Sequence, residues 1–211
     1  MEIKLRDIII LILVISTLSY VAITIKDNMK QQEVINSTKL NNDYDPNNDT
    51  LVELTDSTKD TNNNVSKENE DSKKDVIVIK SGCIGVIDIP DINVRAQIKS
   101  GTDNETLKNY VGKFTDTPNF GEVGNPSLAA HNNVYTEIFR NLNKLNIGNK
   151  VRIVTKDYEY VYKVVWKKVV SPTDISVLES SNKKELTLIT CTTTAQSRIV
   201  VRCEQILQNP I

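Results

Sequence analysis

The sequence predicts a mainly β domain, a closed barrel or sandwich, held behind an apolar N-terminal segment and a polar spacer. Three observations predict it. From residue 76 to the end, short runs rich in Val, Ile, Thr and Tyr recur with few helical patterns between them. Residues 26–75 are dense in Asn, Asp, Ser, Thr, Lys and Glu, with Tyr44 the lone aromatic. Ile8 to Ile25 is a run of 18 residues without a charge.

That run meets the lower limit of about 17 residues for a membrane-spanning helix. Lys4 and Arg6 precede it, and the positive-inside rule puts that end in the cytoplasm; Lys26 and Lys30 on the far side weaken the asymmetry. The rival is a cleaved signal peptide. The run is longer than a usual signal core, and no small-x-small cleavage site stands near Ser19 to Ala22. Residues 1–25 are therefore expected to be a cytoplasmic tip and an uncleaved single-pass anchor, with the rest of the chain outside the cell. Residues 26–75 cannot bury enough apolar surface to offset their ordering entropy. They read as a disordered tether with a reach of roughly 40 Å.

Residues 76–211 read as the folded domain. Ile84 to Ile89 is a strand stopped by Pro90, which a strand interior would not tolerate. Val94 to Ile98 is a second. Asn104 to Tyr110 is a brief helix with Thr102 or Asp103 as N-cap. Pro126 to Ala130 is a short strand leading into His131, and Thr136 to Leu142 is a helical turn with Ile138, Phe139 and Leu142 on one side. Val151–Val154 and Tyr158–Val164 flank a Lys156-Asp157 turn as a hairpin. Leu186–Cys191 and Arg198–Cys203 form a second pair.

Bulk numbers narrow the function. The 211 residues carry a net charge of −1 and no nucleic-acid motif, so no nucleic-acid partner is expected. Cys83, Cys191 and Cys203 are too few for a disulfide scaffold and lack metal-ligand spacing, and a single histidine does not complete a zinc site. No metal site is expected. A Cys83–Cys203 disulfide stays open, since spacing does not fix their distance.

The chemistry concentrates in Thr187-Leu188-Ile189-Thr190-Cys191, a β-branched run that stops at a cysteine. Strand alternation puts Thr187, Ile189 and Cys191 on one face. If the Thr192–Ser197 loop reverses the chain, Arg198 returns close to Cys191. A guanidinium beside a sulfur favours the thiolate and can donate to an oxyanion formed when that sulfur attacks a carbonyl. His131, the only histidine, could protonate a departing amine. Taken singly, Arg198 reads as a surface ion-pair residue, His131 as a loop histidine and a lone cysteine as a small hydrophobe. Their joint occurrence with the Thr-Leu-Ile-Thr-Cys run favours a nucleophile, a general acid and base, and a transition-state stabiliser.

At these residues the chain resembles the sortases, the membrane-anchored cysteine transpeptidases of Gram-positive bacteria. The resemblance covers roughly Ser81 to Gln205 and rests on Thr-Leu-x-Thr-Cys at 187–191. Ile84 to Pro90, Thr106, Leu107, Val111, Gly112, the His131 loop, Phe139, Leu142, Leu145, Gly148, Val170, Pro172, Asp174 and Leu178 fall in family order. It implies an eight-stranded β-barrel with Cys191 closing the seventh strand. It implies Cys191 as nucleophile, His131 as general acid and base, and Arg198 as stabiliser. The substrates would be LPXTG-like sorting-signal proteins cleaved between Thr and Gly, and the acceptor a cell-wall amine. Thr187, Ile189 and Ala129 would line the substrate groove. No resident cofactor is implied, and a calcium requirement known in some relatives is not legible in the residues. Ala130 stands where the family often has glycine. The short Ser171–Glu185 segment argues against class B. The lack of an Asp-Pro-aromatic lid, and of a second apolar span before Ile211, argues against class C. A class A-like or class D-like enzyme is expected. The competing readings are a surface cysteine peptidase that hydrolyses without transfer and a non-catalytic, membrane-tethered β-domain that binds wall ligands.

Overall fold

The structure, a computed structural model, describes Asp45, residues 47–54 and residues 75–211. The apolar run Ile8 to Ile25 and most of the polar tract lie outside the described residues. Among those described, no helix is long and apolar enough to cross a membrane.

Ten strands follow in order: β1 (Thr50–Leu54), β2 (Asp75–Ile79), β3 (Gly85–Ile89), β4 (Val94–Ser100), β5 (Val111–Lys113), β6 (Ser127–Ala129), β7 (Lys150–Val154), β8 (Tyr158–Val170), β9 (Glu185–Cys191) and β10 (Arg198–Pro210). The last eight close a barrel in the order β10-β8-β7-β3-β4-β5-β6-β9. The pairs β4–β5 and β6–β9 are parallel, and the other barrel pairs are antiparallel. Closure leaves the barrel no free edge. Cys191 ends the seventh barrel strand, as the resemblance implies.

The local signals act as expected. Pro90 ends β3 and opens a 3-10 turn, closed by Asn93 in the left-handed conformation. Asp103 caps the helix α1 (Asn104–Asn109), accepting from Thr106 N–H at 3.0 Å. The β7–β8 turn is held by Thr155, whose hydroxyl accepts from Tyr158 N–H at 3.2 Å. Residues 136–142 are a departure. They form a series of irregular turns, with a 3-10 turn only at Leu142–Lys144. Ile138, Phe139 and Leu142 still pack on the barrel core, so burial rather than helical periodicity sets their positions.

Alternation along each strand separates two apolar layers. Leu128, Ala130, Leu186, Leu188, Ile199, Val201 and Cys203 point into the barrel. Ile189 and Val200 point outward and pack with Val177, Phe114, Trp166, Val170 and Leu178. Cys83 belongs to a third cluster, so it and Cys203 sit in different layers, and all three cysteines are free thiols.

Thr50–Leu54 corrects the expected linker. Its Val52 and Leu54 are buried against Ile77, Ile79, Val86 and Val154, and all five residues pair with Asp75–Ile79. Composition averaged over fifty polar residues hid a short alternating strand whose burial comes from its partner. The ribbon is pinned by charge as well. Asp75 pairs with Arg95 at 3.0 Å and Arg152 at 2.6 Å, and both arginines also meet the buried Asp88. Partial burial of Asp75 works to raise its pKa, but the hydrogen bonds and charges of Arg95 and Arg152 prevail and hold the carboxyl below its ordinary value. A depressed carboxyl contributes stability that is present above its unfolded pKa of about 4 and is lost as pH falls through the folded value. Asp75→Asn is expected to cost about 1 kcal/mol at neutral pH, after solvent screening of a half-exposed group. Chemical denaturation at neutral pH, repeated in acid, should show that difference shrink.

Candidate active site

Three adjacent strands, β6, β9 and β10, carry the predicted residues or lead into them. Arg198, the first residue of β10, pairs directly with Cys191, the last of β9. On the other side of β9, β6 runs parallel with Ala129 opposite Ile189. β6 ends at Ala129, and His131 follows two residues on, at the start of the loop beyond the paired segment. Ala130 points into the core, and Cys191 lies on the outer face of β9 with Ile189. Neighbouring strands stand about 5 Å apart, so Arg198 and Cys191, paired across β9 and β10, are immediate neighbours. Cys191, His131 and Arg198 are each half-buried, open enough to meet a polypeptide.

Hydrogen bonds fix the two loops that carry this trio. Ala130 N–H donates to Ile189 O at 3.2 Å, and Thr190 Oγ1 donates to Ala130 O at 2.7 Å. Asn132 Nδ2 donates to Cys191 O at 2.7 Å, and Asn133 Nδ2 to Thr193 O at 3.0 Å. Arg198 Nη1 donates to Ala195 O and Ser197 O, at 3.1 and 3.2 Å. These bonds hold the guanidinium at the mouth of the β9–β10 turn, where Ala195 adopts φ 59°. Asn132, Asn133 and Thr190 were missed as site residues by the sequence reading. The Asn132-Asn133 pair after the lone histidine was the available signal, since short amides readily tie backbone carbonyls across a loop.

Ala130, the departure from the family's glycine, is accommodated. It is 5 % exposed with its methyl in the barrel core, and it is absent from the residues with positive φ. No glycine-only conformation is needed there.

The other two cysteines are poor nucleophiles. Burial pushes the Cys203 thiol pKa strongly up, against a smaller opposing effect of the Arg202 charge. Burial also raises that of Cys83, against the charges of Lys99 and Lys80. Among the described residues, no group of three or more His, Cys, Asp or Glu side chains is placed to hold a metal ion.

The expected groove residues divide. Ile189 is 8 % exposed in the outer apolar cluster, and Ala129 is half-buried beside it. Thr187 shares their face but is fully buried. Its hydroxyl donates to Asn125 Oδ1 at 2.6 Å, while Asn125 Nδ2 donates to the carbonyls of Val177 and Glu179. Arg202 also donates to Val177 O, and its Nη1 pairs with Glu185. The expected groove contact at Thr187 is therefore corrected. The β8–β9 segment lies over it, and its hydroxyl holds the buried amide that anchors that segment. Thr187→Val would strand Asn125 Oδ1 and is expected to cost about 1–3 kcal/mol. A lining role predicts instead a changed KM with an unchanged urea midpoint.

Comparison with known proteins agrees with this geometry. A family model described as the sortase domain matches residues 87–206. Sortase D of Bacillus subtilis is 32 % identical over 108 residues, covering 51 % of this chain and 53 % of the relative. Sortase A of Streptococcus agalactiae is 30 % identical over 128 residues, covering 57 % and 52 %. The chain thus spans about half the length of these two curated relatives. A solved structure of a Clostridium perfringens sortase D5 transpeptidase superposes with a TM-score of 0.56 at 35 % identity, covering 59 % of this chain and 79 % of that one. The closed eight-stranded barrel, the cysteine ending its seventh strand and the family match over more than half of the residues together establish that this chain belongs to the sortase family.

Proposed function

We propose that this protein is a membrane-anchored cysteine transpeptidase that cleaves an LPXTG-like sorting signal between Thr and Gly and transfers the acyl group to a cell-wall amine. The observation that carries this reading is the direct pairing of Arg198 with Cys191, with the loop that holds His131 tied to the same cysteine through Asn132 Nδ2 and Cys191 O.

Cys191, its thiol proton passed to His131, attacks the Thr carbonyl carbon through Sγ, and collapse of the adduct breaks the Thr–Gly bond and leaves a thioester. The oxyanion that forms is met by Arg198, whose position is set by Ala195 O and Ser197 O. Donors already in place when charge develops stabilise the transition state without reorganisation. His131 protonates the departing glycine amine and then takes a proton from the incoming amine as it resolves the thioester. No cofactor enters the cycle. The Ile8–Ile25 run is proposed to anchor the protein with its N-terminus in the cytoplasm and the barrel outside, in a Gram-positive envelope. A class A-like or D-like enzyme fits the short segment between β8 and β9.

The discriminating experiment incubates the full chain in detergent with an LPXTG peptide, with and without an added primary amine. The account predicts a peptide–amine conjugate that displaces the hydrolysis product as amine concentration rises. Hydrolysis indifferent to amine would make the protein a peptidase. Absence of turnover across a panel of variant motifs would favour a binding domain.

A further inference from the structure

We infer that Tyr135 is a positioning residue that holds the His131 imidazole in its working orientation, an inference that rests on the general acid and base role proposed for His131. The ring centroids lie 5.3 Å apart with planes inclined at 44°, inside the range of favourable aromatic contacts. The backbone at Tyr135 is in the left-handed region, φ 55°. For a bulky aromatic residue that conformation is uphill and persists only where the surroundings impose it. Burial does not repay it, because Tyr135 is 66 % exposed.

The surroundings supply two constraints. The loop is closed at its base, since Phe139 N–H donates to His131 O at 3.0 Å and Phe139 is fully buried. It is tied sideways by Asn132 to Cys191 O. Between these points, Glu137 N–H reaches back to Val134 O, and Glu137 is also left-handed at φ 49°. The turn delivers the Tyr135 ring to the imidazole. Lys108 Nζ, 5.9 Å from the same ring centroid, steadies it from α1. Of the four non-glycine residues with positive φ among those described, three lie in the loops carrying His131 and Arg198. A half-exposed imidazole on a loop would otherwise rotate freely about its side-chain bonds, and the tyrosine ring removes that freedom.

The single histidine makes the test direct. The full chain in detergent, carrying isotope-labelled histidine, gives the signals of one imidazole, a single Hε1 and a single Hδ2 line. The account predicts that these ring-proton lines are displaced by the ring current of Tyr135, keep their positions in Tyr135→Phe, and lose them in Tyr135→Ala and Tyr135→Gly. In the LPXTG transfer assay, Tyr135→Phe should stay within about twofold of wild type. The Ala and Gly variants should lose about tenfold in kcat with KM nearly unchanged. Glycine accepts positive φ, so full activity in Tyr135→Gly would mean that the loop needs the backbone conformation and not the ring, and would overturn the inference. An unmoved histidine line in Tyr135→Ala would overturn it as well. If wild type transfers no peptide, the proposed activity fails, and the resonance alone then decides whether the ring fixes the imidazole.

Discussion

His131→Ala is expected to lower kcat/KM about 10²- to 10⁴-fold, the usual worth of a positioned general acid and base. The chain has no second histidine to stand in. The loss should fall on kcat, because the role proposed for His131 is on the leaving and incoming amines rather than on the apolar part of the signal. Added imidazole should restore part of the rate. Steady-state kinetics at neutral pH checks this, and a loss smaller than tenfold would remove His131 from the chemistry.

Arg198→Ala is expected to cost about 10²- to 10³-fold in kcat, the loss seen when one oxyanion donor is removed from a preorganised site. Arg198→Lys separates charge from geometry. Lysine keeps the positive charge but not the planar guanidinium, which bonds Ala195 O and Ser197 O through Nη1 alone and has further N–H donors in fixed directions, so its ammonium would not present donors at the same point. The lysine variant should remain impaired by at least about tenfold. Recovery to near wild type in Arg198→Lys would mean that Arg198 acts as a diffuse charge and that the β9–β10 turn does not set its aim.

Much of the barrel was legible because its strands are short, β-branched and punctuated. Pro90, the Lys156-Asp157 turn and Asp103 each end or start an element by a local rule, and the structure follows them. The Cys191–Arg198 pairing was equally local, being a hairpin between two obvious strands. The approach of the His131 loop to Cys191, through Asn132, was not. It depends on β6 and β9 pairing in parallel across some sixty residues, and no local pattern encodes that register. The family resemblance supplied it. Two misses share a cause. The strand Thr50–Leu54 and the buried role of Thr187 both depend on distant segments that cover them, Asp75–Ile79 in one case and the β8–β9 segment in the other. Alternation assigned Thr187 to the correct face, but nothing in its neighbours told that the face would be roofed there and open at Cys191.

The intact mass of the full chain after brief exposure to an LPXTG peptide, wild type beside Cys191→Ala, tests the central claim most directly. The account predicts an added mass equal to the peptide acyl fragment ending in Thr, located on Cys191 and released by a primary amine. It predicts no adduct in Cys191→Ala, with Cys83 and Cys203 unmodified in both proteins. An adduct on another residue, or peptide cleavage that survives in Cys191→Ala, would contradict it.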